Sequence, residues 1–184
     1  MILLTGMPGS GKSTVLSVII ERGCPTLLMG DVIREEAEKQ GLSPTAESIG
    51  KVAVEIRQKE GADVVARRCI EKMRRINSDS SILAIDGVRS MAEVETFRRS
   101  YQNVVLIAVH SSPQTRFQRF LLRHRSDDAD NWELFKTRDL RELGFGIGGA
   151  IAMADRVIIN ESSAEDLKKR SKRIIEECLA QWTN

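Results

Sequence analysis

The chain has too little cysteine and histidine for a metal centre or a disulfide framework. Cys24, Cys69 and Cys178 are scattered over 184 residues and lack the short spacing of metal ligands. His110 and His124 are isolated from each other and from any cysteine. An odd, dispersed set of cysteines predicts buried free thiols in a reducing compartment.

Long apolar runs and a one-sided charge are also missing. No apolar run approaches the length of a membrane span, and the first apolar segment already starts at Ile2, so we expect a cytoplasmic protein without a leader peptide. Lys and Arg number 28 against 26 Asp and Glu, a net charge of +2, and aromatics make up 4%. Such a balance favours neither a nucleic-acid nor a membrane partner, and it leaves the oligomeric state unknown.

The most informative segment present is a complete phosphate-binding loop. Residues 6–13 read Gly-Met-Pro-Gly-Ser-Gly-Lys-Ser between the apolar run Ile2–Thr5 and a helix-like stretch. In this setting the backbone N–H groups cradle phosphates, the lysine bridges β- and γ-phosphates and the serine hydroxyl joins Mg²⁺. The segment therefore predicts ATP binding with Mg²⁺. The residues expected to bind the nucleotide are Gly6, Gly9, Ser10, Gly11, Lys12, Ser13 and Thr14.

Short apolar segments alternate with helix-length segments along the whole chain. The predicted strands are Ile2–Thr5, Pro25–Met29, Ser81–Ile85, Val104–His110 and Arg156–Ile159. Fully apolar strands in this order predict an α/β fold, a doubly wound three-layer sandwich around a five-stranded parallel sheet. At this length we expect one domain over residues 1–184.

Two segments are too long and too charged to be plain crossover helices. Residues 31–77 are punctuated by glycine and proline, which predicts a helical insert. Residues 116–149 are rich in arginine and end in a glycine-rich run, Gly144 to Gly149, that could supply a hinge. We expect the first to bind a substrate and the second to be a short lid.

Polar signatures follow the second and third predicted strands. Asp31 and Arg34 come after one, and Asp86 and Arg89 come after the other. Because the carboxyl ends of parallel strands converge beside the phosphate loop, these side chains should share one cleft, where guanidinium groups suit phosphate. Asp86 either lies near Mg²⁺, together with Ser13, or caps the helix that follows.

These signatures resemble those of nucleoside monophosphate kinases. Gly30-Asp31-x-x-Arg34 and Asp86-Gly87-Val88-Arg89 are similar to two segments whose arginines, in that family, hold the phosphate of the acceptor. By this resemblance, the substrate would contact Asp31, Arg34, Asp86, Gly87, Arg89 and Glu93.

The arginine-rich segment resembles the lid of short-lid adenylate and uridylate/cytidylate kinases. The resemblance implies that Arg123, Arg125 and Arg138 act on the transferring phosphate together with Lys12. It runs in order over nearly the whole chain and is closest to an adenylate-kinase-related group of archaeal proteins that are compared with dephospho-coenzyme A kinase. The implied reaction is ATP-dependent phosphoryl transfer to a small nucleotide.

The acceptor is less well defined by these motifs. Adenylate kinases read adenine with a Gln where this chain has Glu93, and they have a Thr where this chain has Met29, which could pack on a base. The acceptor is thus AMP, another nucleoside monophosphate or dephospho-coenzyme A, for which Asp31 could be the base.

Other functions for the same pocket stay open to different degrees. A GTP-dependent switch is disfavoured because the chain lacks an Asn-Lys-x-Asp motif, and a ring-forming ATPase would need more chain. A non-catalytic nucleotide sensor uses the same residues, and an RNA-end kinase would have few aromatics for stacking bases.

Overall fold

Five short apolar segments form a parallel sheet, as the sequence predicts. The computed structural model describes residues 1–43, 45–75, 82–123 and 131–182. The strands are β1 (Ile2–Thr5), β2 (Thr26–Leu28), β3 (Ala84–Val88), β4 (Val105–His110) and β5 (Arg156–Ile159). All neighbours run parallel, in the order β2-β3-β1-β4-β5. With helices on both faces, this is the predicted doubly wound α/β sandwich.

Several helices begin at a side chain that caps their first turn. Ser90, Asn131 and Ser163 each accept a hydrogen bond from the backbone N–H three residues later, which satisfies a donor in the first helical turn. The helices are α1 (Lys12–Ile20), α2 (Met29–Lys39), α3 (Ala46–Glu60), α4 (Val64–Arg75), α5 (Met91–Ser100), α6 (Pro113–Arg123), α7 (Trp132–Gly144), α8 (Ile147–Ala152) and α9 (Ala164–Ala180). Within the described ranges, none of them is both long and apolar enough to span a bilayer.

The two larger parts of the core lie on opposite faces of the sheet, because strand side chains alternate between the faces, and Phe120 and Phe135 form a smaller third cluster. Ile2 and Leu4 of β1 belong to the core that includes α1 and α9, whereas Leu3 belongs to the core of α2 to α5. The cysteines follow the same division: Cys24 and Cys178 lie in the first core and Cys69 in the second. All three are buried free thiols, as predicted.

The third strand differs most from its prediction. It was expected to end at Ile85, but β3 continues through Asp86 and Gly87 to Val88. Its register against β1 shifts where Leu4 pairs with Asp86 and Thr5 pairs with Val88, so Gly87 is the extra residue of a bulge. A φ of 97° at Gly87 makes this bulge accessible.

The two charged segments are helical. The predicted insert contains most of α2 together with α3 and α4, and the arginine-rich segment contains most of α6 together with α7 and the start of α8. In the glycine run, only Gly146 has a positive φ, of 97°, at the N-cap of α8. Gly144, Gly148 and Gly149 lie in helices. Within the run, only Gly146 therefore adopts a backbone conformation that favours glycine.

A buried ion pair joins the two helices of the arginine-rich segment. Arg116 of α6 binds both carboxylate oxygens of Asp139 on α7, at 2.8 and 2.6 Å, and only 3% of its side chain is exposed. The same guanidinium donates to the carbonyls of Pro8 and Ser111, both at 3.2 Å, and lies 5.0 Å from the ring centroid of Phe135. Arg116 therefore attaches α7 to the phosphate loop.

We expect Asp139→Asn to lower the free energy of unfolding by about 3 kcal/mol, because a buried guanidinium loses its charge partner. Urea unfolding would measure this loss. Glu47→Gln is the matched control, since it removes an exposed i,i+4 pair with Lys51 and should leave stability unchanged within error. Equal stability of the two variants would mean that the Arg116–Asp139 pair does not hold α7 in place.

Candidate active site

The phosphate loop runs from the end of β1 into α1, with glycines where the backbone leaves no room for a side chain. Gly6 has a φ of 143°, and a Cβ atom there would lie 2.3 Å from the Val109 carbonyl oxygen. Gly11 has a φ of 104°, and its Cβ would lie 2.3 Å from the Asn160 amide nitrogen. The loop can approach β4 and Asn160 this closely only with glycine at both positions.

The loop leaves polar groups open for an anion. Helix α1 begins at Gly11 without a side-chain cap, so its first N–H groups have no partner from such a cap. The Ser10 hydroxyl is buried and has no hydrogen-bond partner among the described residues. Unsatisfied N–H groups and the positive end of a helix dipole together favour a bound phosphate.

Lys12 is folded back over the loop. Its Nζ donates to the carbonyl of Gly6 at 2.6 Å and, more weakly, to that of Met7 at 3.4 Å. Burial lowers the pKa of this amine, and the neighbouring Asp86 carboxylate opposes that effect. The ammonium group thus lies at the loop without an ion pair among the described residues, and phosphate oxygens would supply its missing negative partner.

Two connected cavities open beside the loop. The large cavity, of about 570 Å³, holds the loop face and the strand ends, and its lining includes Gly9, Gly11, Lys12, Ser13, Thr14, Asp86, Arg119 and Asn160. The small cavity, of about 110 Å³, lies between α2, α3 and α7, and its lining includes Ile33, Ile49, Gly50, Arg141, Glu142 and Phe145. Arg34, Arg89 and Arg138 line both.

Asp86 and Ser13 offer oxygen ligands of the kind that Mg²⁺ prefers. One carboxylate oxygen of Asp86, Oδ1, is buried without a hydrogen-bond partner among the described residues. Burial raises the pKa of Asp86, and Lys12 and Arg89 reduce this shift without cancelling it. An orphaned carboxylate oxygen and a serine hydroxyl that line the same cavity fit a cation held jointly with phosphate oxygens. No cluster of three or more His, Cys, Asp or Glu side chains in the described ranges could hold a metal by itself.

Asp31 and Arg34, the two residues predicted to follow β2 into the site, have different positions in the structure. Arg34 lines both cavities, whereas Asp31 lines neither. The Asp31 carboxylate instead accepts a hydrogen bond from Arg34 Nη1 within the first turns of α2, where half of each side chain is exposed. The expectation that Asp31 contacts the substrate therefore gives way to a role beside Arg34.

Arg89 is held at two points by buried carboxylates. Its backbone N–H donates to Glu93 Oε2 at 2.7 Å, and its Nε donates to Glu142 Oε2 at 2.6 Å. Burial alone would raise the pKa of Glu142, but the Arg89 guanidinium holds it below its usual range. With Nε occupied, both terminal nitrogens of Arg89 remain to face the cavities.

Glu93 does not reach either cavity, which corrects its predicted contact with the acceptor. Its side chain is 0% exposed, and its second oxygen accepts from Arg57 Nη2 at 2.8 Å. Both oxygens are thus engaged by the protein. The carboxylate turns into the core, where it anchors Arg57 of α3 and the backbone of Arg89.

Two further predicted contacts are absent for similar reasons. Gly87 forms the bulge of β3 and does not line the cavities, and a Cβ there would lie 3.7 Å from the Cβ of Met29. Met29 is 0% exposed and belongs to the core, so it cannot pack on a base in this structure.

The arginines of the lid segment have different positions. Arg138 of α7 faces both cavities, with its guanidinium 5.2 Å from the ring centroid of Phe120. Arg119 lines the large cavity and donates to Ser111 Oγ at 2.8 Å and to the Asn160 carbonyl at 3.0 Å. Arg125 and the side chain of Arg123 lie outside the described residues, so their predicted roles stay predictions.

Glu142 was not among the predicted site residues, and Arg141 was a lid arginine with no assigned role. Arg141 follows Arg138 on α7 at i+3 and Glu142 follows it at i+4, and this spacing places the three on one helical face. The spacing was visible in the sequence. A carboxylate within an arginine-rich helix is nevertheless typical of solvated surface, and Glu142 is 4% exposed because Arg89 neutralises it.

Other proteins are similar to this chain in sequence. Residues 5–136 match the family model described as an AAA domain. The UPF0200 protein TK1334 of Thermococcus kodakarensis is 43% identical over 182 residues and 98% of both chains. The UPF0200 protein MJ1399 of Methanocaldococcus jannaschii is 45% identical over 97% of this chain and 90% of its own.

Two solved structures share the fold at low sequence identity. Shikimate kinase from Acinetobacter baumannii, in complex with shikimate, superposes with a TM-score of 0.59 at 18% identity, over 98% of this chain and 93% of its own. TT1252 from Thermus thermophilus gives a TM-score of 0.63 at 20% identity, over 96% of both chains. The fold is thus a kinase-like P-loop fold. From the family match and the archaeal relatives, the chain belongs to the AAA domain family that its residues 5–136 match and to the UPF0200 proteins.

Proposed function

We propose that the protein is an ATP-dependent phosphotransferase whose acceptor is a nucleoside monophosphate. One observation carries this proposal: Arg34 of α2, Arg89 just after β3 and Arg138 of α7 line both the large cavity, which the phosphate loop also lines, and the small cavity beside it. The loop side suits a triphosphate donor, and the arginine side suits a second phosphate. Phosphoryl transfer needs this arrangement, because donor and acceptor must lie in line with their charges neutralised.

The donor half is formed by the loop and the start of α1. Backbone N–H groups from Gly9 to Ser13 would hold the β-phosphate, and Lys12 would exchange its carbonyl bonds for β- and γ-phosphate oxygens. Ser13 and Asp86 would hold Mg²⁺, which neutralises charge on the transferring phosphate when it is bound.

The acceptor half is formed by Arg34 and Arg89. Guanidinium groups bind phosphate through paired N–H donors and stay charged at any physiological pH. Arg89 is already oriented by Glu93 and Glu142, so it loses little side-chain freedom when a ligand binds. Asp31, the candidate base for a ribose hydroxyl acceptor such as dephospho-coenzyme A, is bonded to Arg34 and lies outside both cavities. Its position favours a phosphate acceptor.

Arg138 is the residue that we assign to the transferring phosphate. It lines the boundary between the two cavities, where charge spreads over the equatorial oxygens during transfer. We propose that Arg123 and Arg125 join it when the lid closes.

We expect ADP release to require Mg²⁺ and a monophosphate, and Lys12→Ala to lower turnover at least about 100-fold, because Lys12 stabilises charge that develops on the transferred group. A coupled assay with AMP, CMP, GMP, UMP and dephospho-coenzyme A would measure both. Lys172→Ala, on the exposed face of α9, is the control. ATP binding without turnover of any acceptor would instead identify a nucleotide sensor.

Arg34→Ala should weaken monophosphate binding by about 2 kcal/mol, since one charge-assisted contact is lost, while ATP binding changes little. Titration calorimetry with each ligand separates the two effects. Arg67→Ala is a matched control, because Arg67 has a similar exposure and its own local pair with Asp63 but lies on α4. If ATP affinity fell as much as monophosphate affinity, Arg34 would belong to the donor half.

Asp86→Asn should abolish Mg²⁺-dependent turnover and yet stabilise the ligand-free fold at neutral pH. Because the pKa of Asp86 is raised by burial, its ionised form is disfavoured in the folded chain. This destabilising contribution is absent well below the ordinary pKa of 3.8, grows as the pH rises from there to the higher folded value, and is constant above it. The gain in melting temperature should therefore be larger at pH 8 than at pH 4 when measured in EDTA. A pH-independent difference would contradict the assigned electrostatics.

A further inference from the structure

Arg141 lies in a gap that Gly50 leaves on the surface of α3. A Cβ atom at position 50 would be 2.7 Å from Arg141 Nη1 and 3.3 Å from its Cζ. Any larger residue at position 50 would have to displace the guanidinium. The absence of a side chain at one position of α3 thus allows an arginine of α7 to lie across the helix, at the wall of the small cavity.

Arg141 differs from the other arginines around the acceptor half in having no partner. Arg34 pairs with Asp31, Arg89 with Glu142 and Arg57 with Glu93. In the part of the chain that the structure describes, the guanidinium of Arg141 makes neither a hydrogen bond nor an ion pair. A half-buried guanidinium with five unused N–H donors favours any ligand that presents acceptor atoms to it.

The small cavity otherwise offers apolar walls and further donors. Its side chains from α2 and α3 are Ile33, Arg34, Ile49 and Ala53, and Phe145 closes it beyond α7. None of the described lining residues is a Ser, Thr, Asn or Gln, and the one carboxylate, Glu142, already accepts from Arg89. A flat ring would fit such walls, and an edge of the ring turned toward Arg141 would meet the N–H donors of its guanidinium.

We infer, resting on the proposed function, that Arg141 selects the base of the acceptor monophosphate. With the phosphate on Arg34 and Arg89, the base lies in the small cavity and turns its edge toward Arg141. A carbonyl oxygen at that edge accepts from the guanidinium, whereas an amino group leaves donors facing donors. The acceptor is therefore a nucleotide with a carbonyl where adenine and cytosine have an amino group, such as uridylate or inosinate.

Two matched ligand pairs test this, UMP against CMP and IMP against AMP, because each pair exchanges that carbonyl for an amino group and changes only the hydrogen on the adjacent ring nitrogen besides. The unaltered protein should use the carbonyl member at least about 10-fold better in kcat/KM, which corresponds to about 1.4 kcal/mol for one mismatched polar group. Arg141→Gln should bring both ratios close to one, because a glutamine amide can donate or accept. Arg173→Gln, on exposed α9, is the control and should leave both ratios unchanged.

The outcomes separate the two proposals. If monophosphates are used but the ratios are near one, or if Arg141→Gln keeps them, then base selection by Arg141 is wrong while the proposed function stands. If no monophosphate binds in calorimetry and none is turned over, the proposed function fails as well. Arg141→Met, which keeps the length of the stem, gives a second reading if the Gln variant melts at a lower temperature.

Discussion

Two buried carboxylates hold Arg89 between the sheet and α7, and most of the site depends on this arrangement. An arginine side chain is flexible, and a ligand that binds it must also restrict it. Here Glu93 fixes the backbone and Glu142 fixes Nε, so the restriction is already present before any ligand arrives. The carboxylates come from α5 and α7, and Glu93 also binds Arg57 of α3. One cluster of charges thus connects the core, the insert and the arginine-rich segment.

Helix α7 is attached to both halves of the site. Through Asp139 and Arg116 it is linked to the Pro8 carbonyl of the phosphate loop, and through Glu142 it is linked to Arg89. Three residues of this helix therefore have separate roles. Asp139 attaches the helix to Arg116, Arg138 faces the cavities, and Glu142 orients Arg89. A shift of α7 would change the donor and acceptor halves together.

The sequence predicted those parts that local patterns determine. The five strands, their parallel arrangement and the phosphate loop follow from apolar runs and from a motif whose geometry is local. The end of β3 was misplaced because Asp86 and Gly87 are typical of a loop, while pairing with β1 extends the strand through a bulge. The pairing of β3 with β1, which is distant in sequence, therefore determines where β3 ends.

The direction of a side chain was harder to predict than its position. The resemblance to adenylate kinases predicts a base-reading residue at Glu93, but its carboxylate is drawn into the core by Arg57 and the Arg89 backbone. Glu142 was missed for the converse reason, since a helical carboxylate beside arginines is usually solvated. In both cases the decisive factor is a buried ion pair between elements far apart in the chain, which no local pattern reveals.

The buried cysteines have a practical consequence. Burial raises the pKa of Cys24, Cys69 and Cys178, that of Cys69 to about 12, so the reactive thiolate is scarce at neutral pH. None of the three faces the cavities. A single cysteine introduced at an exposed position of α7, such as Leu140, would therefore be the preferred target of a thiol-reactive fluorophore. The three natural cysteines would not need to be replaced before such a label is used to measure the movement of α7 on nucleotide binding.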